Sequence, residues 1–314
     1  MSLAIGVDVG GTKIAAGVVD ENGTVLAQIR RATPARDADR TADTIAEIAS
    51  ALAAEYGANS IGIGAAGLVD EDRCTVLFAP NLAWRNEPLG QRIGRATGLP
   101  TVVENDANAA GWGEARFGAA RGASSAVILT VGTGIGGAII LNGELVRGTH
   151  GLAGEWGHMV VRPDGRRCGC GLRGCWERYA SGSALVADAR ELATLDPARG
   201  AGLLESAGGR ADQISGIHIT AAARAGDPAA LECLRNLGVW LGRGMAALAA
   251  AFDPDVFVLA GGVSEAGDLL RRPAQESFTS LLSARSFRSE PEVRLARQGN
   301  LAGLVGAADL SRAV

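Results

Sequence analysis

The chain opens on an apolar, β-branched run, Leu3-Ala4-Ile5-Gly6-Val7-Asp8-Val9, which predicts a buried strand. Gly10-Gly11-Thr12-Lys13 turns it, and Ile14 to Val19 predicts a returning strand. Asp20-Glu21-Asn22-Gly23 then carries the Asn-Gly signal of a hairpin into a third strand, Thr24 to Arg30. Apolar residues recur at helical spacing from Thr41 to Tyr56, and Ser60 to Ala65 predicts another strand. Thr101 to Asp106 reads as a short strand with a polar end, and Ala107 to Phe117 as an Ala-rich helix. At Ala126 the same order begins again: a strand to Val131, a Gly turn over Gly132 to Gly137, a strand over Ala138 to Leu141, an Asn142-Gly143 hairpin and Glu144 to Val146. A helix over Leu237 to Ala251, the strand Val256 to Ala260, a Gly261-Gly262 turn and a closing helix over Leu301 to Arg312 follow. This repetition predicts two related α/β domains with a cleft between them. The expected boundary lies at residue 118. Residues 1–118 would form the first domain and 119–299 the second, with a final helix at 300–314 packing back on the first.

Composition narrows the function classes. The 314 residues carry 30 basic and 34 acidic side chains, a formal charge of −4, with no basic tract. Nucleic acid is therefore not expected as a partner, because phosphate neutralisation needs clustered Lys and Arg. Apolar residues make up 47% of the chain, yet their runs stay far below the roughly 18 to 20 residues that span a bilayer. The first strand begins at Leu3 and leaves no room for a signal peptide, so a soluble cytoplasmic protein is expected. Lys13 is the one lysine, so 29 of the 30 basic residues are arginine. With the abundant alanine, this points to a genome-wide coding preference. A lysine that stands against that bias suits a place where a compact point charge is wanted instead of a planar fork. The 45 glycines fall in sharp clusters, the mark of sites lined by backbone.

Asp8-Val9-Gly10-Gly11-Thr12-Lys13 offers a carboxylate, two small turn residues, a hydroxyl and the lone ammonium. Glycines let backbone N–H groups approach phosphate oxygens, and Asp8 could hold a hydrated Mg²⁺ there. A plain hairpin with a surface lysine is the alternative. A Walker A loop is excluded, since no Gly-Lys-Ser/Thr follows at the required spacing and a strand comes next. Gly132-Thr133-Gly134-Ile135-Gly136-Gly137 formally satisfies GxGxxG, but that fingerprint needs a helix after the turn, and Ala138 to Leu141 reads as a strand. A second phosphate-gripping hairpin through Thr133 and Gly134 fits better. Gly261-Gly262 would be a third such loop, suited to an α-phosphate or adenosine. One Gly-Gly pair is commonly only a tight turn; three at equivalent places in a duplicated chain are harder to dismiss.

Three of the five cysteines lie together as Cys168-Gly169-Cys170-Gly171-Leu172-Arg173-Gly174-Cys175, ten residues after His158. That spacing is too tight for ordinary disulfides in a cytoplasmic protein. Three thiolates and an imidazole complete a closed tetrahedral Zn²⁺ shell of the structural kind. Cys74 and Cys233 stand alone and are expected as buried small hydrophobes. The metal would fix a loop bearing Glu155, His158 and Glu177, whose two carboxylates and imidazole can bond vicinal sugar hydroxyls; His150 and His218 are expected at the surface or in loops. In Glu104-Asn105-Asp106-Ala107-Asn108, a strand runs into a helix, the place where α/β sheets bind ligands. Asp106 reads there either as a general base for an attacking hydroxyl or as a helix N-cap.

The Asp8-to-Lys13 motif resembles the first phosphate motif of the sugar kinase, heat-shock ATPase and actin superfamily. Together with His158 and the Cys-x-Cys-Gly-x-x-Gly-Cys-x-Glu run that ends at Glu177, the chain resembles the ROK family (repressors, open reading frames and kinases) along essentially its whole length, and most closely its bacterial glucokinases. The resemblance implies an α/β fold of two ribonuclease-H-like domains around an interdomain cleft. It also implies phosphoryl transfer from MgATP to the 6-hydroxyl of glucose, with Asp106 as base and Asn105 on an adjacent hydroxyl. Gly67 would touch the sugar, with Asn81 and Trp84 near the same cleft. His158 would face zinc with one ring nitrogen and a sugar hydroxyl with the other. A homodimer or homotetramer is implied as well. Three rivals remain: a kinase for mannose, fructose or an N-acetylhexosamine, a kinase that uses polyphosphate, and a sugar-sensing repressor. The last carries a winged helix-turn-helix before the first strand, for which Met1-Ser2 leaves no room.

Overall fold

The computed structural model describes residues 2–313. Met1 and Val314, which begin the expected first domain and close the expected last helix, lie outside the described residues. By internal packing the chain falls into two units. One takes the chain up to Ser124, then Gly137–Gly154 and the stretch from Arg297 on; the other takes Ser125–Gly136 and Glu155–Ala296. The sequence placed breaks at 118 and 300 and did not separate out the inserted stretch Gly137–Gly154.

In the first unit, β1 (Ala4–Val9) is buried at every position but Asp8, as its apolar run requires. It pairs antiparallel with β2 (Lys13–Val19), which pairs with β3 (Val25–Ala32). After α1 (Ala38–Tyr56), the strand β4 (Ser60–Ala65) joins β1 in parallel, and the order becomes β3-β2-β1-β4-β8 once β8 (Thr101–Asn105) is added. The α1 helix begins at Asp37, whose side chain accepts the Arg40 N–H, and ends on left-handed Gly57. Its buried face, Ile45, Ile48 and Leu52, joins the sheet in one core. Between β4 and β8 lie the short strands β5 (Leu68–Val69), β6 (Val76–Phe78) and β7 (Arg85–Glu87), which form a three-stranded sheet, and α2 (Leu89–Thr97). The unit continues in α3 (Asp106–Phe117).

The second sheet has the order β11-β10-β9-β12-β13, the pattern of the first. Its strands are β9 (Ala126–Val131), β10 (Ile135–Leu141), β11 (Glu144–Leu145), β12 (Val256–Ala260) and β13 (Glu292–Leu295). β12 lies parallel to both β9 and β13 and is buried throughout, which is why its sequence is apolar without alternation. The helical part comprises α4 (Glu177–Ala180), α5 (Gly182–Leu195), α6 (Ala201–Ser206), α7 (Gly216–Arg224), α8 (Pro228–Phe252) and α9 (Asp268–Leu281). α8 starts nine residues before the expected Leu237, because Asp227 caps it through the Ala230 N–H and Pro228 occupies its first position. Among the described residues, no helix is long and apolar enough to cross a membrane.

The last helix, α10 (Ala302–Leu310), is flanked by 3₁₀ turns at Gly299–Leu301 and Ser311–Ala313. It lies on β1, β4 and α3 at backbone distance. A Cβ at Gly62 would stand 1.8 Å from the Ala307 carbonyl oxygen, and one at Gly6 would stand 1.9 Å from that of Leu304. Only glycine permits this approach. Gly62→Ala is expected to lower unfolding free energy by about 3 kcal/mol, the upper range for overpacking, because the obstacle is main chain and cannot rotate away. Urea unfolding followed by circular dichroism checks it; a loss below ~1 kcal/mol would show that α10 moves off freely.

Candidate active site

The predicted residues fall into two groups, one on each unit. On the first unit, Asp8 is the last residue but one of β1, and the turn beyond it is held by the Gly10 N–H, which donates to the Lys13 carbonyl at 3.0 Å, and by Thr33 Oγ1, which donates to the Gly10 carbonyl at 2.8 Å. Thr12 and Lys13 are exposed, while Asn81 packs on the turn so closely that a Cβ at Gly11 would lie 2.9 Å from the Asn81 Cβ. Burial pushes the Asp8 carboxyl above its ordinary range, with the Lys13 charge pulling it back. Its carboxyl carbon would lie 3.4 Å from a Cβ placed at Gly303 of α10. A carboxylate so placed, beside a lysine and glycine N–H groups, suits a hydrated cation carried by phosphates.

At the β8–α3 junction the cap of the helix is Asn105, not Asp106. Asn105 Oδ1 accepts the N–H groups of Ala107 and Asn108 at 2.9 and 3.0 Å, and its Nδ2 donates to the Gly67 carbonyl at 3.0 Å. The capping alternative for Asp106 therefore falls. Asp106 occupies the first helical position, half-buried, with Oδ1 accepting the Ala107 N–H at 2.9 Å. Gly67 and Asn105 are thus brought together, and one Nδ2 hydrogen remains to Asn105 beyond its bond to Gly67. Trp84 is fully buried in the core of the unit, with its indole Nε1 meeting no hydrogen-bond partner among the described residues.

Glu104, one residue before this pair, is the functional candidate that sequence reasoning passed over. It is wholly buried, with Arg73 and Arg147 on one carboxylate oxygen. In the sequence it stands only as a charged residue directly after Thr101-Val102-Val103, which does not tell a buried carboxylate from a solvated one.

On the second unit, the cysteine cluster forms as its spacing predicts. His158 Nδ1 and the Sγ atoms of Cys168, Cys170 and Cys175 all lie within 4.8 Å of one another. Cys170 and Cys175 are 3.6 Å apart, and Cys168 is 3.7 Å from His158 Nδ1. Ligands at a Zn–S length of about 2.3 Å in a tetrahedron stand about 3.8 Å apart, so the donor set and its size fit zinc. A tight loop makes this possible, with the Cys168 N–H on the Leu172 carbonyl, the Gly171 N–H on that of Cys168 and the Trp176 N–H on that of Met159. Burial pushes the Cys168 thiol up to about 12 and raises that of Cys175, whereas the Leu172 N–H lowers that of Cys170.

With Nδ1 turned to the sulfurs, His158 presents Nε2 toward Glu155, 4.0 Å from Oε2. Glu177 opens α4, its Oε1 accepting from Cys168 Sγ at 3.0 Å. Burial raises the Glu155 carboxyl; the His158 charge opposes this and Glu177 reinforces it. Glu177 also reaches the second glycine turn, where a Cβ at Gly134 would lie 2.5 Å from its Oε2. Cys233 is buried as expected, Cys74 is half-buried, and His150 is exposed.

Thr133 and Gly262, far apart in sequence, meet in one cavity of about 650 Å³. Gly261 at φ 84° makes the turn, and the N–H of Gly182, the first residue of α5, donates to the Gly132 carbonyl at 2.7 Å. Val186 of α5 and Ile217 of α7 supply apolar walls. A helix start and glycine turns at one end, with aliphatic walls beside them, suit a ligand that is anionic at one end and flat at the other. The helices that make the walls lie in a stretch that sequence motifs left blank.

The ROK family model matches residues 4–314. A glucokinase of Streptomyces coelicolor is 48% identical over 99% of this chain and 98% of its own length. The crystal structure of a ROK family glucokinase from Streptomyces griseus, in complex with glucose and AMPPNP, superposes with a TM-score of 0.89 at 51% identity, covering 100% of both chains. A xylose repressor of Bacillus subtilis is 31% identical over 88% of this chain and 68% of its own length.

Metal analysis of the folded protein is expected to find about one zinc per chain. Cys175→Ser, or prolonged chelation, should remove it and lower the melting temperature, because the free energy of binding a structural metal is also folding free energy for the loop that carries its ligands. A fully folded, zinc-free protein with an unchanged melting temperature would exclude a structural metal.

Proposed function

The chain belongs to the ROK family, and on that premise we propose that it transfers the γ-phosphoryl group of ATP to the 6-hydroxyl of glucose, giving glucose 6-phosphate and ADP. The observation that carries this reading is the unbroken match, at 51% identity over the whole chain, to a glucokinase in complex with glucose and an ATP analogue. The repressor match is weaker and shorter.

Each group of residues has a chemical task in this reading. Asp106 accepts the proton of the 6-hydroxyl as that oxygen attacks the γ-phosphorus in line, and Asn105 donates its remaining amide hydrogen to a neighbouring hydroxyl. Glu155, Glu177 and the Nε2 of His158 bond further sugar hydroxyls, and the Gly67 backbone borders the ring. The turns Gly10–Lys13 and Thr133–Gly134 donate N–H and hydroxyl hydrogens to phosphate oxygens, with Lys13 adding charge. Gly261, Gly262 and the 650 Å³ cavity accept the adenosine part. Asp8 would hold a hydrated Mg²⁺, which would offset charge on the transferred group, and zinc held by His158, Cys168, Cys170 and Cys175 would supply rigidity to the loop of His158 and Glu177. A cytoplasmic homo-oligomer without nucleic-acid or membrane partners completes the proposal.

Product formation from a panel of glucose, mannose, fructose and N-acetylhexosamines, each with MgATP and with polyphosphate, tests it. Glucose with MgATP should be the best pair, and Asp106→Asn should lower kcat by about 10²- to 10⁴-fold, the usual worth of a general base. Preference for another sugar or for polyphosphate would replace the substrate and keep the chemistry. No turnover by folded, zinc-loaded protein would favour a sensor.

A further inference from the structure

Glu104 is 1% exposed, while Arg73 and Arg147, which meet it, keep 25% and 13% of their side chains exposed. Its two oxygens divide the work. Oε2 accepts Nε and Nη2 of Arg73 at 3.0 and 2.9 Å, and Arg147 Nε lies 2.8 Å from the same atom, off the hydrogen-bond direction but close in charge. Oε1 faces the other way and accepts the Asn105 N–H at 3.0 Å and the Asn108 side-chain amide at 3.0 Å. One oxygen thus meets two cations, and the other grips the β8–α3 junction on both sides of Asp106.

The arginines are themselves held. Arg73 sits at the end of the Asp70–Arg73 turn with φ 57°, a left-handed conformation that disfavours any residue with a Cβ. Its carbonyl accepts the Val103 N–H at 2.9 Å, so main chain and side chain both stitch the turn to β8. Arg147 donates Nη1 to the Glu71 carbonyl at 2.8 Å and Nη2 to that of Asp70 at 2.7 Å, locking the same turn from outside.

Stability alone does not call for this arrangement. Asn105 already caps α3, Val102 and Val103 beside Glu104 are apolar core, and buried ion pairs are commonly matched or bettered by well-packed apolar residues. We propose that Glu104, clamped by Arg73 and Arg147, is a positioning residue for phosphoryl transfer. It fixes the Asn105 main chain and the Asn108 amide, and through them the direction in which Asp106 presents its carboxylate. The inference rests on the reading of Asp106 as the base. Its weight comes from the geometric demand of the step, since a misplacement of about 1 Å in a reacting group costs on the order of 10²-fold in rate.

Glu104→Gln keeps the shape and an acceptor but turns an amide toward two guanidinium groups. Measured per folded molecule, its kcat should fall about 10- to 100-fold while the KM for glucose moves less than about fivefold. Arg73→Lys, which keeps the charge without the fork, should lie between wild type and Arg73→Ala; this pair carries the same test if Glu104→Gln fails to fold. Glu114→Gln is the control. That carboxylate is equally buried and accepts the N–H groups of Ala119, Arg297 and Gln298, away from the junction. It should lower the melting temperature and leave both kinetic constants unchanged. An active wild type whose Glu104→Gln variant keeps kcat within twofold, or loses it only in step with melting temperature, overturns the clamp alone. A wild type that phosphorylates no sugar removes the kinase reading and the clamp with it.

Discussion

The first unit is organised by a contact that leaves no room for side chains. α10 lies against β1 and β4 at glycines 6 and 62, and against α3, where a Cβ at Gly306 would stand 1.8 Å from the Ala109 carbonyl oxygen. Dispersion between closely approaching main chains is cumulative, and the burial of Leu304 and Val305 adds an apolar term. Both acids of this unit depend on that seat. Asp8 faces Gly303 of the same helix, and Asp106 begins the helix on which α10 rests. The positions of Asp8 and Asp106 therefore depend on residues almost 300 positions away from Asp8 in sequence.

On the second unit the corresponding role passes from packing to ligation. The segment between Glu155 and Glu177 has only short turns and isolated bridges for secondary structure, one of them pairing Val160 with Cys175. Such a segment cannot hold three polar side chains at a defined separation by main-chain bonding alone. Four donors drawn to one ion supply what a strand or helix supplies elsewhere. The cysteines rest on a firm base: Trp176, next to Cys175, is wholly buried and bonds the Trp240 carbonyl at 2.8 Å.

What could be read in the sequence follows from how local each signal is. The glycine turns, the hairpins and the His-Cys cluster are short-range patterns whose chemistry is complete within a few residues, and they were legible. The repeat of strand, turn, strand and hairpin in each half was legible too, whereas the order of the strands within each sheet came only from the structure. Glu104 was not legible, since its meaning depends on Arg73 and Arg147, whose loops meet it only in three dimensions. The burial of Trp84 was not legible either, because nothing in Pro80-Asn81-Leu82-Ala83-Trp84 tells an inward indole from an outward one. The walls of the 650 Å³ cavity escaped for a related reason: aliphatic residues on α5 and α7 look the same whether they pack on protein or on a ligand. The junction at Asn105 and Asp106 was half legible: a cap was expected there as one alternative for Asp106, and Asn105 supplies it.

The lone lysine has a practical side. Lys13 is exposed at the tip of the first turn, and every other basic side chain is a guanidinium. Amine-reactive reagents at neutral pH do not acylate guanidinium groups, so this chain offers them one side-chain target besides its α-amino group. A fluorophore attached there would mark the first glycine turn, without any engineered cysteine and without disturbing the thiols of the His-Cys cluster. Conversely, any acyl donor in the cell that modifies lysines has a single place to act on this protein, and its effect would be the loss of the one compact positive charge in the chain.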